Sequence, residues 1–189
     1  MSKKTYRREL IEWMILVTVG VTLYMTGLHT QLIGQIQRVV LATGFISPDI
    51  NEEPQAADFN FVLTDVNGDD LPFSELKGET IFLNFWATWC PPCIAEMPDI
   101  ESLYQSVGDS VRFVMVSVDK DQTKAKAFVE LKRYEMPIYF ANSGIPREFQ
   151  SRSIPTTFII SPSGNIVVKQ TGMAQYDTDD FIEFLLALD

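Results

Sequence analysis

The sequence predicts an α/β domain carried behind one membrane-spanning helix. Three observations predict it. From residue 57 onward, apolar runs of strand length alternate with helix-length segments. The first 32 residues combine a basic leader with a long uncharged stretch. Both cysteines of the 189-residue chain fall in one Cys-Pro-Pro-Cys motif at its first strand-to-helix junction. The length suits one ordinary domain with a real core and an appendage.

Residues 1–9 contain the leader "KKTYRR", and from Trp13 to Gln37 there is no formal charge. Extended from Leu10 to Leu32, the apolar run reaches the roughly 20 residues a spanning helix requires. A basic leader stays in the cytoplasm, so whatever follows is expected outside. No small-x-small cleavage site follows the run, where "GLHTQ" stands, so an uncleaved anchor is expected rather than a signal peptide.

Residues 33–56 form the connection. Within "LIGQIQRVVLATGFI", apolar residues recur at helical spacing between Gln35, Gln37 and Arg38, which suits a helix at the membrane surface or one packed on the domain. "SPDINEEPQAAD", residues 47–58, is polar and proline-bearing and reads as a linker.

Charge divides with this organisation. Five basic and two acidic residues give the first 46 a net charge of +3, which leaves −13 of the chain's −10 total for the rest. So acidic a body repels nucleic-acid backbones and anionic head groups, and no nucleic-acid partner is expected.

In the domain, residues 57–189, "DFNFVLTDVNGDDLPFSEL" predicts a hairpin turning at Asn67-Gly68. "TIFLNFWA" is a continuous apolar run typical of a central strand covered on both faces. A helix is expected from the cysteines to about Ser106, then a buried strand, "VRFVMVSVD". "TKAKAFVELKRYE" reads as a helix, "PIYFA" as a strand and "IPREFQ" as a short helix. "TTFIIS" and "NIVVKQTG" flank a Pro-Ser-Gly-Asn turn and predict a hairpin at the sheet edge, and "DTDDFIEFLLALD" a closing helix with acidic residues at its start.

Cysteines at i and i+3 in a helix's first turn share one face, so their sulfurs can close a local disulfide. So small a loop removes little entropy from the unfolded chain and makes a poor staple. The pair is better suited to opening and closing. Pro91 and Pro92 fit the first helical positions, whose amides have no partner inside the helix. The helix N-terminus then favours a thiolate on Cys90, the expected nucleophile, while Cys93, one turn in, is the expected resolving thiol. A zinc site would need about four ligands, and the single histidine, His29, lies in or beside the apolar segment, so no metal is expected.

The segment "FLNFWATWCPPCIAEMP" resembles the active-site region of the thioredoxin superfamily, and within it the membrane-anchored TlpA/ResA-like thiol-disulfide oxidoreductases. Trp89, the two cysteines, Pro98 and "SIPTTF" at 153–158 carry the resemblance, which covers roughly residues 57–189. It implies a thioredoxin-like fold: a central mixed sheet flanked by helices, an N-terminal hairpin, and a helix-strand insertion at about 123–141. It also implies that Ile154-Pro155 is a cis-proline loop facing the disulfide, and that Trp89, Ile154 and Pro155 meet the substrate. Thioredoxins proper have a buried aspartate where this chain has Asn84, and an amide takes no proton. The group's acidic residue after the second cysteine matches Glu96, which shares a helix face with Cys93 and, partly buried, could accept its proton.

The expected activity is protein-disulfide reduction outside the cytoplasm, on substrates such as apocytochrome c or other envelope proteins, with no cofactor. A membrane electron donor of the DsbD or CcdA kind is implied. The expected site is the outer, periplasmic face of a bacterial cytoplasmic membrane. Rival readings are a dithiol oxidase or peroxidase of the same fold, and, from another class, a non-catalytic adaptor or metal-binding chaperone. The two prolines between the cysteines, with no histidine there, favour the reductase. The peroxidase lacks an arginine in the motif and has Thr88 on the wrong side of the cysteine.

Overall fold

The structure, a computed structural model, describes residues 3–26, 33, 34, 37, 48, 50–141 and 144–188. Its helices are α1 (Lys3–Thr26), α2 (Pro91–Val107), α3 (Gln122–Lys132) and α4 (Asp179–Leu186). Its strands are β1 (Ile50–Ala56), β2 (Val62–Asp65), β3 (Asp70–Pro72), β4 (Thr80–Trp86), β5 (Val111–Ser117), β6 (Ile138–Ala141), β7 (Thr156–Ile160) and β8 (Asn165–Thr171). One mixed sheet contains all eight strands in the order β1-β8-β7-β4-β5-β6-β2-β3.

β4 lies near the middle because it is apolar on both faces, and every one of its residues is buried. It pairs parallel with β5 and antiparallel with β7, from Phe85 opposite Thr156 to Ile81 opposite Ile160. The alternation of a strand sends Phe82, Asn84 and Trp86 to one face and Ile81, Leu83 and Phe85 to the other. On the first face, α2, α3 and α4 bury Met97, Leu103, Phe128, Phe181 and Leu185 in a single core. The second face is covered differently from the expectation of flanking helices. Phe59, Phe61, Phe73 and Leu76 close it, together with Phe149 from the 3-10 turn Arg147–Phe149. Phe61 and Phe73 stack with ring centroids 4.3 Å apart.

Most expected elements form. The hairpin β2-β3 pairs Val62 with Pro72 and Thr64 with Asp70, and the Asp65 carboxylate accepts from the turn amides of Asn67 and Asp69. β7 and β8 pair as a hairpin through Gly164 at φ +82°. The insertion supplies α3 and β6, with α3 ending at Arg133 in the left-handed region, φ 57°.

One expectation changes. The stretch read as a linker provides β1, which pairs antiparallel with β8, Gln55 opposite Ile166 and Ala56 opposite Asn165. Its polar composition and Pro54 hid it, yet an edge strand needs neither an apolar face nor a full set of amides. Consequently the β7-β8 hairpin stands one strand in from the edge.

The expected anchor lies only partly within the described residues. Among the described residues, no helix is long and apolar enough to cross a membrane. α1 covers part of the expected span, and residues 27–32, its expected end, lie outside the described residues. Trp13, Met14, Leu16, Tyr24 and Met25 on this helix are all more than half exposed. Of the segment after it, Gly34 is buried against the domain: a Cβ there would stand 3.2 Å from the Pro91 carbonyl oxygen and 3.4 Å from Ile94 Cγ2. Of the two placements left open for this segment, the contact at Gly34 is with the domain.

Candidate active site

The cysteines sit where β4 ends and α2 begins, at the C-terminal edge of the parallel pair β4-β5. Cys90 is the N-cap of α2, with extended backbone at φ −101° and ψ 101°, and Pro91 and Pro92 take the first two helical positions. Its sulfur accepts the Cys93 amide N–H at 3.2 Å. That amide has no partner inside the helix, so the helix start itself supplies a hydrogen bond to the reactive sulfur. Cys90 and Cys93 form a disulfide with Cα atoms 5.3 Å apart. Cys90 is 4% exposed and Cys93 fully buried, the order expected of nucleophile and resolving thiol.

The preceding loop is pinned. Asp119, just beyond β5, accepts from the Thr88 backbone N–H (2.9 Å), the Thr88 hydroxyl (2.7 Å) and the Ser117 hydroxyl (2.9 Å). The Val118 N–H also donates to the Trp86 carbonyl. These bonds fix Trp86 and Thr88, just ahead of Cys90, to the neighbouring strand end. Sequence reading missed Asp119, although an acid closing a buried strand, "VSVD", was the available signal.

The Ile154–Pro155 peptide is cis, and the Ile154 carbonyl oxygen lies 3.6 Å from Cys90 Sγ. Trp89, 58% exposed, and Val118, 42% exposed, stand with Pro91, Pro92 and residues 151–154 around a cleft of ≈ 460 Å³ that Cys90 also lines. Trp89 is therefore a rim residue. Trp86, three residues earlier, is fully buried in the core, as its sequence context predicts. Pro155 is buried beside Ile154 and does not line the cleft.

Beneath the disulfide, Glu96 is completely buried rather than partly so. Its Oε1 accepts from Asn84 Nδ2 at 2.9 Å and its Oε2 from the Ala174 N–H at 3.3 Å. Loss of hydration pushes its pKa from 4.5 to about 8, against the pull of those two donors and with the Asp99 charge adding to the rise. Asn84 Nδ2 also donates to Thr157 Oγ1 at 2.9 Å, and the Tyr176 hydroxyl donates to the same oxygen at 2.7 Å. Burial and the nearby Glu96 charge hold the Tyr176 hydroxyl protonated well above the usual phenol range. Asn84 Oδ1 is buried with no partner among the described residues. Thr157 and Tyr176 were not singled out from the sequence. They reach the network from 73 and 19 residues away along the chain, and no local pattern announces them.

This arrangement can run dithiol chemistry: a sulfur lining an open cleft at a helix N-terminus, a fully buried partner one turn in, and a carboxyl one turn further with a raised pKa.

Residues 54–169 match the model of the AhpC/TSA family. Among curated proteins, the thiol-disulfide oxidoreductase ResA of Halalkalibacterium halodurans is 34% identical over 129 residues, 67% of this chain and 73% of the relative. ResA of Geobacillus kaustophilus is 30% identical over 185 residues, 96% of both chains. Among solved structures, StoA of Bacillus subtilis superposes with a TM-score of 0.55 at 28% identity, covering 68% of this chain and 94% of its own.

Proposed function

Since the chain belongs to the AhpC/TSA family and is a thiol-disulfide oxidoreductase of the ResA/StoA type, we propose that it works as a protein-disulfide reductase on the outer face of a cytoplasmic membrane. The observation that carries this reading is the placing of Cys90. It caps α2, opens on the cleft beside the Ile154 carbonyl, and has Cys93 and Glu96 buried behind it.

In the reduced protein, the Cys90 thiolate attacks one sulfur of a substrate disulfide. A mixed disulfide forms and the substrate's other sulfur leaves as a thiolate, which takes up a proton. In its carboxylate form, which is the minor one below about pH 8, Glu96 accepts the proton of Cys93, whose ordinary thiol pKa of about 8.5 lies close to its own, so the transfer is nearly balanced in energy. Cys93 then attacks Cys90 Sγ, the second substrate sulfur is released and protonated, and the Cys90–Cys93 disulfide remains. Two electrons and two protons have passed to the substrate. The backbone at Ile154 is free to pair with an extended substrate segment, and Trp89 shields the exchanging sulfurs.

The spent disulfide needs a donor of two electrons. A membrane dithiol protein of the DsbD or CcdA kind fits that role, and apocytochrome c or other envelope proteins fit as substrates. The anchor reading is supported by the basic leader and by the exposed apolar side chains of α1, which nothing described in the chain covers. The direction rests on the two prolines between the cysteines and the absence of a histidine there to hold the thiolate.

A redox titration of the full-length chain in detergent, followed by tryptophan fluorescence, tests it. A reversible two-electron couple near thioredoxin's, about −270 mV, is expected, whereas one near −120 mV would make the protein an oxidant. With no reversible couple, the exchange mechanism fails and the adaptor reading remains.

A further inference from the structure

The cleft beside Cys90 is mostly apolar, with Ser151 and Ser153 also in its wall, and contains one charge. Among the described residues that line it, Trp89, Val118, Ile154 and the two prolines supply the hydrocarbon, and Arg152 is the single charged side chain. Arg152 is exposed, and among the described residues it has no ion-pair partner. It stands two residues before Ile154, whose carbonyl lies 3.6 Å from Cys90 Sγ. The body around it is strongly acidic, with the whole chain at −10. A lone cation at the reactive edge of an acidic domain gives near and distant charges opposite preferences. The summed field attracts basic substrates from afar, while contact with the cleft favours an anion.

We propose that Arg152 is a specificity-determining residue, selecting disulfide-bearing segments with an Asp or Glu within about two residues of the attacked cysteine. Two extended residues span about 7 Å, within the reach of an arginine side chain beside a peptide paired at Ile154. The guanidinium takes a carboxylate through two parallel N–H donors, which fixes register as well as charge. An apolar side chain on the same segment covers Trp89 and Val118. A lysine or arginine beside the cysteine is disfavoured. This assignment deepens the reductase reading and rests on it for the direction of the reaction, though not for the docking of the segment.

Two disulfide peptides of identical composition and net charge test it. One has glutamate two residues from the reacting cysteine and lysine near a terminus, and the other has the two exchanged. Because net charge is the same, long-range attraction cancels. Pre-reduced full-length protein in detergent is mixed with each oxidised peptide, and second-order rate constants are read from tryptophan fluorescence. The glutamate-proximal peptide is expected to react about two- to five-fold faster at low salt, the size of an exposed ion pair, with the ratio shrinking as salt rises. Arg152→Ala brings the ratio to about one and Arg152→Glu inverts it. A wild-type ratio of one, or a ratio untouched by Arg152→Glu, overturns the assignment. If the reduced protein reduces neither peptide, the reductase reading fails by itself. The same comparison is then made with the oxidised protein and the reduced peptides, where an Arg152-dependent ratio still supports the assignment and its absence overturns it.

Discussion

Burial keeps Glu96 protonated up to about pH 8, while an unfolded chain releases that proton near 4.5. Between those values the folded state binds more protons, so this residue's contribution to stability is complete below about pH 4.5 and is lost as pH rises toward 8, by up to about 1.4 kcal/mol per unit. Glu96→Gln keeps an acceptor for Asn84 but cannot titrate. Denaturant midpoints of the oxidised protein between pH 5 and 8 are expected to fall with pH in the wild type and to lose that slope in the variant. The same substitution should slow resolution of the mixed disulfide about a hundred-fold and remove the limb of the pH–rate profile near 8, read by stopped flow. Glu96 was legible because i+3 spacing on a helix is a local property. Its depth was not, because burial depends on the segment before α4, where Ala174 and Tyr176 close over the site.

α2 does not hold the cysteines by itself. Asp119 ties the Thr88 loop to the end of β5, and further along the helix the Glu101 carboxylate accepts the Glu135 and Met136 amides, joining α2 to the segment between α3 and β6. Asp119→Ala leaves the Thr88 amide without its acceptor and is expected to cost about 2 kcal/mol by urea denaturation, with faster hydrogen exchange at Thr88 and Trp89. The helices and most strands of the domain could be read from periodicity and turn residues. β1 could not: the other half of its signal is the open edge of β8, more than 100 residues away. Asp119 was missed for a related reason, since Thr88, the partner it holds in the active-site loop, lies 31 residues earlier past the end of another strand.

The sheet divides the domain into two cores, and each depends on a segment near one end of the domain: α4 closes one, and the Phe59–Leu76 segment the other. A fragment starting at residue 57 would keep every site residue yet lose β1 and expose the β8 edge. Compared with a fragment from 48, it should show a lower Tm and more self-association by light scattering. The full chain is expected to stay with membranes through alkaline carbonate washing, whereas a chain lacking residues 1–32 is released.

Gly34, seated against Pro91 and Ile94, attaches the end of α1 to the same helix turn that displays Cys90. Eight peptide steps lead from Thr26 to Gly34, a contour of at most about 29 Å. If α1 enters the bilayer as proposed, the reactive sulfur would be confined to a thin layer over the lipid, and its encounters with membrane-embedded donors would become a search across a plane instead of through a volume. Recharging would then be set by lateral diffusion and by how many donors share the same patch of membrane. Soluble substrates would have to come down to that layer to be reduced.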